Sequence, residues 1–134
     1  MKNLSQKIGE MEFDGLITDT SPAPIVRGGT IRKLSETTTL VRGTILAKSS
    51  GTSGDNKLVI LGTEAGGDET LTADCILCDD VEVGTDTDVT VPVYYAGCFD
   101  PAKCTVKAEY SLSEADKDNL RVRGILFKAA TAAN

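Results

Sequence analysis

A chain of 134 residues with 20 Asp and Glu, 14 Lys and Arg and a net charge of −6 is the size of one domain with an acidic surface. Its basic residues are scattered, with no run longer than Arg32-Lys33, which argues against nucleic-acid binding because Lys and Arg neutralising phosphate supply most of that affinity. The chain has no His, so it holds no Ser-His-Asp or Cys-His nucleophile pair, no imidazole base and no His-ligated metal, leaving carboxylate, Lys, Tyr or thiol chemistry.

Met1 to Lys7 is polar with no apolar run behind it, so no secretory leader is read and folding in a reducing cytoplasm is expected. No stretch approaches the ~18 apolar residues of a membrane span. Residues 1–29 show no sustained period. Pro22 and Pro24 fix two φ angles and bias the preceding residues towards extended geometry, and Arg27-Gly28-Gly29 reads as a flexible joint. The pattern predicts an extended N-terminal arm. Its apolar residues Ile17, Ile25, Val26 and Ile31 have no evident core partner, and residues 2 to 26 are expected to be dispensable for folding.

From residue 30 the texture changes, and residues 30–128 read as the folded domain. Leu40 to Ala47 is expected as a half-buried strand, Lys48 to Asn56 as a polar loop, and Lys57 to Leu61 as a second strand. After a turn-rich loop from Glu64 to Glu69 comes the short apolar run Cys75-Ile76-Leu77-Cys78, then the acidic turn Glu82 to Asp86. Asp88 to Tyr94 alternates polar and apolar with period two, and Pro92, lacking a ladder donor, belongs at an edge or bulge. One helix is predicted. Ser113 is its N-cap in a capping-box pattern with Asp116, Arg121 and Arg123 sit in the last turn, and Gly124 is the stop. Ile125 to Phe127 should return to the sheet, and residues 129–134 read as a frayed tail.

The constellations that could carry chemistry fail on spacing. Cys75-x-x-Cys78 fits a zinc knuckle, but Cys98-x5-Cys104 is too wide for its mate, and residues three apart on a strand face opposite sides. The four Cys read as small buried hydrophobes, and a Cys98–Cys104 disulfide, though geometrically feasible, is disfavoured in a reducing cytoplasm. Asp79, Asp80, Glu82, Asp86 and Asp88 suggest calcium, but an EF-hand loop begun at Asp79 has Val83 at position five and Thr90 at position twelve. Asp19-Thr20-Ser21 lacks the Gly of an aspartic-protease loop, and the Gly-rich segments 51–54 and 62–67 lack a P-loop ending. No catalytic, cofactor-binding or metal-binding residue is assigned, and no cofactor is expected.

The succession of Arg42 to Leu46, then Ile76 to Asp100, then Leu112 to Phe127 resembles the lambda-type head decoration proteins of tailed phages. In that family a Gly-Ile-Leu strand leads through an acidic turn and an alternating strand to a Gly-x-Phe-Asn corner. Here Cys75 stands where Gly is usual, and Asp100 where Asn is common. The resemblance covers about residues 30 to 128 and is carried by order and spacing. It implies a mainly β fold, an open β-clip-like barrel of short strands with one short C-terminal helix and an extended N-terminal arm. It further implies a non-enzymatic homotrimer on the exterior of the expanded phage head, made in the host cytoplasm, that binds the major capsid protein and stabilises the shell. No nucleic-acid or membrane partner is implied. The arm residues Ile17, Pro22, Pro24, Ile25, Val26 and Ile31 become the expected capsid-binding set, since an extended segment can add a strand to a partner. The alternatives are another structural virion component, a small β-barrel adaptor or a carboxylate-dependent hydrolase.

Overall fold

The apolar and alternating runs become nine strands in a computed structural model that describes residues 15–20 and 22–128. They are β1 (Ile17–Asp19), β2 (Ile25–Ile31), β3 (Thr38–Leu40), β4 (Ile45–Gly51), β5 (Leu58–Ile60), β6 (Glu69–Leu77), β7 (Val81–Val83), β8 (Val89–Phe99) and β9 (Ile125–Phe127). A 3₁₀ turn covers Pro101–Lys103, and the one α-helix among the described residues, α1, spans Glu114–Arg123. The period-two segment after Asp88 grows into β8, the longest strand. It pairs antiparallel with β2 from Val89 to Ala96 and with β6 at Val93 and Tyr94. Beyond Gly97 the same strand takes β1 on one edge and β9 on the other.

Strands β8, β2, β5, β4 and β6 follow one another round a ring that the β6–β8 pairing closes. The fold is mainly β with one short helix, as expected, but the barrel, expected to be open, is closed by the β6–β8 pairs. Its weakest seam lies between β2 and β5, which share only the parallel pair Ile31 with Leu58 and the hydrogen bond from Arg32 N–H to Leu58 O (2.9 Å). Pro92 sits just past the last β6–β8 pair, where Cys78 N–H reaches its carbonyl (3.3 Å). Its missing donor therefore costs no ladder bond there.

The arm expected over residues 1–29 is corrected from Gly15 onward; residues 1–14 and Ser21 lie outside the described residues. Leu16 is 2% exposed and belongs to the core, so removing residues 2 to 26 takes away β1, a core leucine and the start of β2. Gly28-Gly29 is not a joint but the middle of β2, opposite Pro92 and Val91. A Cβ on Gly29 would lie 2.7 Å from Leu58 Cδ1 and 3.2 Å from Val93 Cγ2, so the absent side chain is what lets those two fill the barrel. Two boundaries also move. The strand expected over Leu40 to Ala47 breaks between β3 and β4 at Gly43, whose φ of +94° suits glycine and whose Cβ would strike Lys103 O at 2.7 Å. The polar loop after it shortens because β4 runs on to Gly51, held by β6.

Two apolar clusters result from side chains alternating across the strands. The barrel interior takes Ile31, Leu46, Leu58, Cys75, Leu77 and Val93, one or more from each of the five ring strands. It is plugged by Leu40 and Val83 of the β3–β7 ribbon. The second cluster lies outside the ring, where Ile45, Ala47, Val59, Ile76, Tyr94 and Phe99 are covered by Leu16, Leu120 and Ile125. Helix α1 has the predicted caps. Ser113 Oγ accepts from Asp116 N–H (3.1 Å), Asp116 Oδ2 accepts from Ser113 N–H (3.1 Å), and Gly124 stops the helix at φ +105°. The Tyr110 hydroxyl also donates to that Asp116 carboxylate.

Two outcomes follow for stability. Ser113→Ala removes the cap acceptor and should cost ~1 kcal/mol in denaturant melts, while Ser111→Ala changes little. Gly29→Ala overfills the interior and should lose ~1–3 kcal/mol, whereas Gly28→Ala, whose Cβ meets only Thr90 Cγ2 at 3.8 Å, should lose far less.

Candidate functional site

The first half of β2 exposes apolar side chains that a strand partner or a core would normally cover. Ile25 is 48% and Val26 53% exposed, and the neighbouring helix presents Val122 at 86%. Leu120 marks the buried stripe of α1; Val122, two residues on, falls on the far side of the helix. A recess of about 480 Å³ joins these elements and is lined by Ile25, Arg27, Tyr95, Ala96, Val122 and Arg123.

The local backbone explains the recess. Ile25 pairs with Ala96 and Val26 with Tyr94, so Tyr95 is an extra residue on β8, a β-bulge that turns its side chain to the barrel mouth. The Arg27 guanidinium lies over the Tyr95 ring, 5.5 Å from its centroid, and burial raises the tyrosine hydroxyl pKa. Arg123, in the last turn of α1, sets Nη1 2.9 Å from Oδ1 of Asp74. That distance is an ion pair, although the N–H does not aim along a hydrogen bond. Asp74 is itself the extra residue of β6 against β4 and its side chain is 2% exposed, so Arg123 neutralises a buried carboxylate while holding the helix end at the recess.

Among the described residues, the edge of β2 beside this recess carries no strand: from Ile25 to Thr30 the side facing away from β8 is unpaired, and the backbone hydrogen bonds given for these residues lie within the β2–β8 ladder. Such an edge is a row of donors and acceptors able to template another strand.

Of the six nominated arm residues, the structure brings only Ile25 and Val26 to this surface. Ile31 is fully buried in the barrel interior, a correction that follows from its pairing with both Val89 and Leu58. Ile17 pairs with Phe99 and packs against the outer cluster. Pro22 and Pro24 are half-buried in the connection from β1 to β2, and a Cβ added at Gly97 (φ +144°) would lie 3.4 Å from Pro24 Cα. Sequence reasoning missed Tyr95, Val122 and Arg123. The readable signal was Val122, an apolar residue off the helix's buried stripe.

The other candidate constellations find structural roles. Cys75 lies inside the barrel and Cys78 in the outer cluster, on opposite faces as strand alternation requires, and all four thiols are free. Burial pushes the Cys78 thiol up to about 11, Cys104 up to about 12 and Cys75 higher still, so these three stay protonated and inert at neutral pH. Asp80 accepts from Arg42 N–H (2.7 Å), and Asp88 accepts from Lys33 N–H (2.8 Å) and pairs with Lys57 Nζ (2.5 Å). Among the described residues no three His, Cys, Asp or Glu gather to hold a metal ion. No known protein family, no curated protein and no solved structure matches the chain.

The strongest electrostatic knot lies where β2 ends. Arg32 bridges Asp55 (2.8 Å) and Glu69 (2.5 Å), and the Ser49 hydroxyl also donates to Glu69. Hydrogen bonding from Arg32 lowers Asp55 to about 2; Ser49 and then Arg32 lower Glu69 to about 2. Both carboxylates titrate near 4 when unfolded, so their contribution is full above that range and disappears as the pH falls through about 2. Arg32→Met should therefore lower the melting temperature at pH 7, with the difference from wild type shrinking towards pH 2 in thermal melts.

Proposed function

We propose that this chain is a structural, non-enzymatic capsid decoration protein: a homotrimer that docks on the outer surface of an expanded phage head and stabilises the shell through contacts with the major capsid protein. The reading starts from the order and spacing of Arg42 to Leu46, Ile76 to Asp100 and Leu112 to Phe127, and from the barrel-with-one-helix architecture those segments adopt. The observation that carries it is the edge of β2, unpaired among the described residues, with its apolar flank of Ile25, Val26 and Val122. A surface of that kind suits a macromolecular partner that brings a strand and covers hydrocarbon, rather than a small substrate.

The mechanism is thermodynamic. A protein that binds the assembled lattice but not its separated subunits stabilises the shell by mass action, and several modest contacts per trimer combine by multivalency. The acidic surface, with its net charge of −6, keeps the unbound protein soluble.

Purified protein mixed with empty, expanded heads of a lambda-type phage should add density at three-fold and quasi-three-fold positions. Density of two-fold or five-fold symmetry, or none at saturating protein, refutes the reading. The paired change Ile25→Asp with Val26→Asp should weaken decoration at least about tenfold, since interface-centre apolar contacts dominate binding. Melting of the free variant should stay close to wild type, because both side chains are half-exposed.

A further inference from the structure

We infer that the unpaired edge of β2 receives the segment Glu10–Asp14 of a neighbouring copy of this chain, so that copies are joined by strand exchange. This builds on the reading of the β2 flank as an assembly surface but needs no capsid. The edge supplies main-chain donors and acceptors from Ile25 to Thr30 with nothing paired to them among the described residues. It also supplies a cation: among the described residues Arg27 has no acidic partner, only the Tyr95 ring beneath it. Arg123 lines the same recess, but its charge is already matched by Asp74.

The complement is written in the chain itself. Fourteen residues precede Gly15, and their last five, Glu10-Met11-Glu12-Phe13-Asp14, alternate acid with apolar. Laid along an edge as a strand, that segment turns its three carboxylates to one face and Met11 and Phe13 to the other. Along β2 the faces alternate in the same way. Ile25 and Arg27 line the recess, while Val26 does not, although it is exposed. The acids therefore meet Arg27, and the apolar pair covers the side of Val26.

Reach decides which copy provides the segment. Ile17 pairs with Phe99 and Arg27 with Val93, so Arg27 lies six β8 residues farther along, about 20 Å at ~3.3 Å per residue. From Gly15, Glu12 extends at most ~11 Å and Glu10 ~18 Å. The reach of this chain's own acids therefore falls short of Arg27. Edge-to-edge pairing of two β2 strands centred on Arg27 is also disfavoured, since it sets cation against cation. Donation from each copy to the next is a head-to-tail contact, which closes into a ring when the rotation allows.

The test uses the full chain in sedimentation velocity, without capsid, comparing wild type, Arg27→Glu, and the double variant Glu10→Lys with Glu12→Lys. Wild type should associate with rising concentration, and each variant alone should associate at least about tenfold more weakly, because like charges then face each other. The charge-swapped chain that carries Arg27→Glu, Glu10→Lys and Glu12→Lys together should recover association in a ring of any size, since every negative edge then meets a positive arm. That recovery also shows that neither set of changes unfolds the chain. The inference is overturned by a wild type that stays monomeric, by either partial variant associating like wild type, or by a charge-swapped chain that stays dissociated. Because no capsid is present, failure here leaves the decoration reading to be judged on capsid density, and the reverse holds equally.

Discussion

Strand β8 has to be paired along both edges, and the rest of the molecule follows from how that is done. Eleven residues cannot be matched by any one partner strand here, so β2 and β6 serve its first part and β1 and β9 its second. The β6 contact closes the ring, and the β1 and β9 contacts draw both described ends of the chain to the same region. Backbone groups left unpaired in that position would be buried among Tyr94, Cys98 and Phe99 without water, at a cost of the order of 1–3 kcal/mol each. The short β9, coming directly off the helix stop at Gly124, meets that need with three residues.

Because the strands β4, β6 and β8 are covered on both faces, one sequence has to supply two cores with few aromatics. Inside the ring the space is narrow, and small residues are used: Gly29 yields its volume to Leu58 and Val93, and Cys75 fills a place beside Leu46 and Leu77. Outside the ring the space is larger, and the tilted pair Tyr94 and Phe99, 5.2 Å between centroids, occupies it under Leu120 and Ile125. Arg42 donates to the Tyr94 hydroxyl (2.7 Å) and to Cys78 O (2.9 Å), satisfying polar groups where that layer meets solvent.

The exposed flank is the counterpart of the same arrangement. The ring closes between β2 and β5 through one residue pair, so among the described residues most of β2 is paired on one side only. The β8 bulge at Tyr95 and the ion pair between Arg123 and Asp74 then bring a cation-bearing helix end alongside. Hydrocarbon, unpaired backbone and positive charge coincide within one small area of an otherwise acidic protein. A strand of acidic and apolar residues would satisfy all three at once, which suits the assembly surface proposed for this edge.

The amino-acid sequence determined the features whose physics is local. The capping box at Ser113 and Asp116, the stop at Gly124, the alternating strand after Asp88 and the opposite facing of Cys75 and Cys78 all rest on neighbours within a few residues. Pro22, Pro24 and Gly28-Gly29 read locally as an arm because Pro and Gly disfavour regular structure. Only the meeting with β8, far along the chain, makes β2 a strand and Gly29 a packing requirement. Gly43 breaks a run that looks continuous because a carbonyl from Lys103 occupies the space its side chain would need. The flank at Ile25, Tyr95 and Val122 has no sequence signature as a unit, since its parts come from β2, a bulge in β8 and the back of α1. Local propensity is set by each residue and its neighbours, whereas a surface depends on which distant strands pair and in what register, and that is decided by long-range burial and hydrogen bonding.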